Sequence, residues 1–385
     1  MIFIILVITI PIIIKVIWVM CATYGHGKLD KEEKEIIRRA KYLLSKVVTS
    51  PEQLFNEMPN GIGTQFQGEW ALYTCSMTSA AMANIAILFP HHRDMAIKNI
   101  ERIIDIALST KIREYDSVSW HEDPLVSLKG DNSHMSYLSH IAWMMGRLKQ
   151  IGGGDKYDFL YHAVCEAMHR RMLLSPSLNL ETYPNENIYL PDMLVTIVAL
   201  SDYSKLYNRK YQPTVDKWVE RARTEWTDPE TGLLASFLSE DYFSSTVVLP
   251  IKGSYSALNC YYLSLVDEVF AKEQYKLLKK LFKQRFPFTG IREYIDRRTM
   301  YQFDIDCGPI IFNLSPSGTA FVIGCATSLN DMVFRKQLLR TAEIAGSTVT
   351  RNGESHYLLA EYALVGEAVA LAMRTSFPET RIQRP

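Results

Sequence analysis

Apolar residues recur along this chain with a period near that of an α-helix almost throughout, so the pattern predicts helices and few strands. Over about residues 31–48, Ile36, Ile37, Ala40, Leu43, Leu44 and Val47 fall on one stripe, with charges elsewhere. The next segment, about 69–89, differs. Trp70, Ala71, Leu72, Met77, Ala80, Ala81, Met82, Ala83, Ile85 and Ala86 surround its axis with apolar and small groups. A helix that is apolar all round is enclosed all round.

That contrast repeats. Amphipathic segments over about 93–109, 155–173, 213–226, 272–285 and 331–345 are each followed by a drier one, over about 134–150, 191–207, 255–270, 317–329 and 357–374. Alternating wet and dry helices predict an all-α fold, an (α/α)6 toroid of about twelve helices in six hairpins, with the dry helices ringed by the wet ones. No linker-like stretch divides the chain, so residues 23–385 read as a single toroid domain.

Connection lengths give the ring a direction. Links from dry to wet helices are short: Pro90 to His92, Gly152 to Gly154, Asn208 to Pro213, and almost nothing at Ala271 and Asn330. Links from wet to dry helices are long, covering about 49–68, 110–133, 174–190, 227–254, 286–316 and 346–356. Antiparallel neighbours put all the long links on one face. Long loops are uncommon unless functional. That face also carries the N-terminal ends of the dry helices, where free N–H groups favour anions. A site is expected there.

Residues 1–22, MIFIILVITIPIIIKVIWVMCA, are apolar apart from Lys15 and long enough to cross a bilayer. Pro11 can kink such a helix, and Lys15 costs roughly 2.5–3.5 kcal/mol if it sits centrally. A cleaved signal peptide is the alternative, but a basic leading region and a small-residue cleavage site are missing. A single-pass membrane anchor is therefore expected. Lys28, Lys31, Lys34, Arg38, Arg39 and Lys41 follow it. Read as topology signals they put the large domain in the cytoplasm; read as the wet face of a helix they carry no topology, and the side stays open.

The 385 residues carry 42 basic and 42 acidic side chains and no long basic run, which argues against nucleic-acid binding. None of the six cysteines forms a C-x-x-C pair, so a zinc site has little support and the thiols read as small buried hydrophobes.

Candidate chemistry lies on the long loops. The second reads SWHEDPLVSLKGDNSHMSYLSH and offers Glu122, Asp123, Asp131 and His134. His134 and His140 lie on successive turns of one dry helix, where a satisfied core histidine is the competing reading. The third, TYPNENIYLPD, holds Tyr183, Asn185, Asn187 and Asp192 in an irregular turn, with helix capping the alternative for Asp192. The fourth contributes Tyr242. In the fifth, YQFDIDCGPIIFNLSPSG, Asp304 and Asp306 alternate with apolar neighbours. Two such carboxyls would repel and raise at least one pKa, the arrangement acid/base chemistry uses; metal binding by the pair and plain turn chemistry are the competing readings. Near the first dry helix, GEWALYTC adds Glu69 and Tyr73.

The runs GDNSHMSYLSHIAWMMGRLKQIGG, TYPNENIYLPDM and DIDCGPIIFNLSPSGTAF resemble the linalool dehydratase/isomerase-like group of α/α-toroid proteins. The resemblance covers about residues 60–375 as scattered short patterns. It implies an (α/α)6 fold, a central cavity and cofactor-free acid/base chemistry on an alcohol or alkene. The family's histidine in an H-x-x-Y segment corresponds to His134, with Tyr137 following. It also implies cysteines around the third-loop segment; here that segment has none, and Thr182 and Pro191 stand where they would be sought.

Three functions follow as expectations. The first is a lyase, hydratase or isomerase needing neither metal nor organic cofactor, with Asp304 or Asp306 moving a proton, His134 as partner, and the remaining loop residues binding a small molecule. The second is a carbohydrate-active toroid, a glycoside hydrolase or polysaccharide lyase, with paired carboxylates and aromatic residues that stack on sugar rings. The third is a membrane-tethered binding module. The sequence leaves the oligomeric state open.

Overall fold

A computed structural model describes residues 2–23, 29–240, 245–296, 301–304 and 306–378. An apolar helix α1 (Ile2–Ala22) leads into α2 (Leu29–Val47), the short α3 (Pro51–Asn56) and α4 (Thr64–Leu88). Then come α5 (Arg93–Ala107), α6 (Thr110–Trp120), α7 (Met135–Gln150), α8 (Asp158–Leu174), a strand β1 (Ile188–Tyr189), α9 (Leu190–Leu206) and α10 (Gln212–Glu225). Strands β2 (Phe237–Glu240) and β3 (Ser245–Val248) precede α11 (Gly253–Leu263) and α12 (Glu268–Phe282). The hairpins β4 (Lys283–Gln284) with β5 (Gly290–Ile291), and β6 (Tyr301–Asp304) with β7 (Gly308–Ile311), lead to α13 (Pro316–Ser328) and α14 (Met332–Gly346). The last hairpin, β8 (Thr348–Arg351) with β9 (Glu354–Tyr357), is followed by α15 (Leu364–Thr375).

Helices α4, α7, α9, α11, α13 and α15 form the inner ring. Each packs on the next, and α15 packs on α4 to close it. Helices α2, α5, α8, α10, α12 and α14 lie outside. The chain is an α/α toroid of six hairpins. In α4 every residue from Thr74 to Ala86 is buried, while amphipathic α5 buries only Ala96, Ile100, Ile103, Ile104, Ile106 and Ala107. By length and composition α4 could cross a membrane, but it is buried inside the ring.

The six long links are on one face and carry the nine strands found among the described residues, together with α3 and α6. Periodicity did not reveal these pieces because each is shorter than two helical turns of pattern or belongs to a loop. Two boundaries also differ from expectation. The dry segment near 255–270 stops at Leu263, and the Asp267 carboxylate accepts a hydrogen bond from the Phe270 N–H to start α12. The segment near 357–374 does not begin until Leu364. Residues 354–357 instead pair with 348–351 around Asn352–Gly353, both left-handed, a turn that suits the twist of a hairpin.

Ring closure is reinforced by a buried ionic cluster. Glu32 on α2 accepts from Arg335 of α14 at 2.6 and 3.1 Å and from Arg374 of α15 at 2.8 Å. Arg374 also reaches Glu35, and Arg39 binds Glu367 at 2.7 Å. These groups tie the first outer helix to the last hairpin. Glu32→Ala would leave two guanidinium groups facing each other without their shared carboxylate. A loss of about 3–5 kcal/mol in unfolding free energy is expected, read by urea denaturation.

Candidate active site

The long-loop end of the ring is built from the N-terminal turns of the inner helices, and Glu69 and Asp192 are half-buried there. Glu69 lies in the second turn of α4, with Tyr73 one turn below on the same side. Asp192 is the third residue of α9, and Tyr255 holds the same place in α11. Pro191 suits the first turn of α9 because the N–H it lacks has no helical partner there. Asp192 does not cap its helix. Its carboxylate accepts instead from the Thr182 hydroxyl at 3.1 Å. Tyr183, the next residue, donates to Glu69 Oε2 at 2.7 Å. The third loop thus grips both carboxyls side by side.

Both carboxyls are partly open to solvent but surrounded by protein. Burial, helped by the negative charge of Asp192, pushes the Glu69 carboxyl up to about 8 against the Tyr183 hydrogen bond. Burial pushes Asp192 up to about 7, with the charge of Asp306 adding to it. Asp306 projects from the turn between β6 and β7 and accepts a hydrogen bond from the Tyr255 hydroxyl. Burial raises it as well, and Asp304 raises it further. The three carboxyls therefore share one site and resist simultaneous ionisation.

Aromatic faces line the walls. Tyr189, Phe237 and Tyr255 contact one another with ring centroids 4.9 to 5.6 Å apart. Deeper in, the Tyr73 and Tyr262 hydroxyls are 3.3 Å apart and the His140 ring meets Tyr73 edge-on. His140 Nδ1 lies 2.9 Å from the Ser76 hydroxyl, and burial lowers its pKa to about 3, so it is neutral.

The structure redistributes the other residues singled out by sequence. Asp304 faces Lys252 at 2.7 Å and accepts from the backbone N–H of Asp306 and Cys307. Burial alone would raise it, but Lys252 holds it below the usual carboxylate range. It is an ionised anchor for the turn that carries Asp306. His134 is not at the opening. It is fully buried at the start of α7, with Nδ1 2.6 Å from Asp116 and Nε2 3.0 Å from Glu122 and 3.2 Å from Ser127. Both ring nitrogens are engaged, so the ring fastens the second loop and has none left for a substrate proton. Tyr137 is buried and donates to the Ala107 carbonyl, and Asp123 pairs with Arg113 at 2.7 Å while capping Leu125 and Val126. Asn185 and Asn187 are exposed on the third loop. Tyr242 lies outside the described residues.

Sequence reasoning missed Tyr189, Tyr255, Tyr262 and Lys252. Tyr189 and Tyr255 had a usable signal: each lies within a turn of an inner-helix start, as Asp192 does. Among the described residues, one group has metal-ligand spacing, Glu33 with His91 and His92, and it lies on the opposite, short-link face.

Two outcomes follow. His134→Ala would strand Asp116 in the interior and should lower unfolding free energy by about 3 kcal/mol, measured by chemical denaturation. Glu69 binds its proton more tightly folded than unfolded. Its contribution to stability is full below pH 4.5, the ordinary value, and is lost as pH rises to about 8. Glu69→Gln mimics the neutral acid, so its melting temperature should fall less than that of the wild type between pH 5 and 8.

No family model and no curated protein matches the chain. Nine solved chains match by structure. One is described as "Crystal structure of unsaturated glucuronyl hydrolase specific for heparin"; it aligns over 90% of this chain and 96% of its own, with a TM-score of 0.58 and 11% sequence identity. That likeness, together with the closed ring of inner helices, establishes the chain as an α/α toroid.

Proposed function

We propose that this protein is a carbohydrate-active enzyme of the glycoside hydrolase or polysaccharide lyase kind, working by acid/base catalysis at the long-loop opening. The observation that carries this reading is the Glu69–Asp192 pair, two neighbouring carboxyls with raised pKa values at the long-loop end of the ring, close to Tyr189. At neutral pH Glu69 keeps its proton and can donate it to a leaving oxygen. Asp192, titrating lower, ionises first and can accept a proton from water. Tyr183 and Thr182 hold the two carboxyls in register. On this reading Asp306 and Tyr73 bind hydroxyl groups, and the half-buried Tyr189 offers its ring to a sugar, backed by Tyr255.

The toroid described as a heparin-specific unsaturated glucuronyl hydrolase supports a sugar substrate over a terpene alcohol. A lyase or isomerase acting on a non-sugar alcohol would use the same acid and base. The test is a panel of aryl glycosides and unsaturated uronyl disaccharides, with a terpene alcohol as the contrasting substrate. Sugar turnover is expected, and Glu69→Gln and Asp192→Asn should each lower kcat by roughly 10²–10⁴ while substrate binding persists. Turnover of the alcohol alone would replace this reading with the isomerase one.

We also propose that α1 is a membrane anchor. From Ile10 to Met20 its large apolar side chains face solvent in place of a protein partner, and only Val19 among them is buried.

A further inference from the structure

Exposed apolar side chains are concentrated on the long-link face. In the β6–β7 hairpin, Tyr301 pairs directly with Ile311 and Phe303 with Pro309. Partners directly opposite in a hairpin, and residues two apart in a strand, point to the same side. One side of this hairpin is therefore wholly apolar, with Tyr301 77% and Phe303 67% exposed. Its other side is tied down: Ile310 is buried, and Asp304 holds Lys252.

The apolar side continues onto the neighbouring hairpin. Phe312 follows Ile311, and its ring lies 5.9 Å from Phe288 in the β4–β5 turn. Gln284 also donates to the Phe312 carbonyl at 2.9 Å. Phe286, at the tip of that turn, is 86% exposed, and the exposed Arg285 stands beside it. Thr289 in the same turn accepts from Thr341 of α14 at 2.6 Å. Helix α14 in turn carries α1: Lys15 donates to Ser347, just beyond the long-link end of α14, at 2.7 Å and lies over the Trp18 ring. Two hairpins, α14 and the apolar α1 thus form one connected edge beside the opening.

We infer that this edge rests on a lipid bilayer, with α1 inserted beside it and Phe286, Phe303 and Tyr301 seated in the headgroup–acyl boundary. The inference rests on reading α1 as a membrane anchor. The occupant is lipid because α1, fastened to this same edge, leaves large apolar side chains between Ile10 and Met20 exposed and so calls for an apolar solvent. Aromatic side chains are at home at the boundary of that solvent, and a basic residue such as Arg285 suits anionic headgroups. The opening with Glu69 and Asp192 then lies at the membrane surface, where glycans carried on lipids are presented.

The test uses the full chain with Cys21→Ser, which removes the exposed cysteine. A fluorescent nitrobenzoxadiazole label is placed on Phe303→Cys, Phe286→Cys or, as control, Phe159→Cys. Phe159 is 89% exposed and lies in the first turn of α8, on the short-link face. Each labelled chain is mixed with phosphatidylcholine–phosphatidylglycerol vesicles containing a spin-labelled lipid, and flotation is scored alongside quenching. The chain is expected to float, with positions 303 and 286 quenched several-fold more than position 159. A chain that fails to float overturns the anchor and the edge together. Flotation with equal quenching at all three positions overturns the edge alone. Labels shielded from water but unquenched by lipid would also overturn it, in favour of contact between two copies of the chain.

Discussion

The rest of this fold depends on the burial demand of the inner helices. A segment such as α4, apolar on every side, gains stability only when protein surrounds it completely. Each Å² of apolar surface removed from water contributes about 25 cal/mol. Six such segments joined by hairpins cannot satisfy that demand as a layer, because an end helix would stay exposed. Closing α15 onto α4 removes both ends at once. The cluster of Glu32 with Arg335 and Arg374 then fastens the seam, and its charges are tolerable inside because each meets an opposite partner.

Closure also decides where chemistry can occur. The ring's wall is apolar and aromatic, so a carboxyl at its mouth loses much of its hydration. Glu69 and Asp192 lie there because they are carried near the N-terminal ends of α4 and α9, which meet the long links. The long links fill the same end of the ring and supply the second partners: Thr182 and Tyr183 for the two carboxyls, and the Asp304–Lys252 pair for the turn that presents Asp306. Burial and mutual repulsion act together on these acids and raise their pKa values, which is the property the proposed acid/base chemistry draws on.

Much of the candidate site was visible along the chain, though not the surroundings of each residue. Glu69, Tyr73, Tyr183, Asp192 and Asp306 were all marked by their position on long links or helix starts, and the fold brings them to one end of the ring. His134 was marked by the same rule and by family resemblance, yet its ring is locked between Asp116 and Glu122. Asp116 lies in α6, a helix hidden inside a long link, so nothing in the local pattern announced a partner for the histidine. Asp304 and Asp306 read as an equivalent pair two residues apart. Their separation comes from Lys252 and Tyr255, which are about 50 residues away in sequence and reach them only through the packing of α11 against the fifth link.

The sequence by itself determined the helical class, the alternation of inner and outer helices, and the face on which the links are long. Those properties are periodic and local, set by side-chain solubility within a few turns. Only the tertiary structure decided which carboxyls lose their water, which histidine is sealed, and which apolar loop residues stay exposed beside α1. Each of these depends on what lies opposite in space, and the partners are separated by tens to hundreds of residues. A local pattern shows which side chains a segment carries, whereas the dielectric and the neighbours each one meets are set by ring closure.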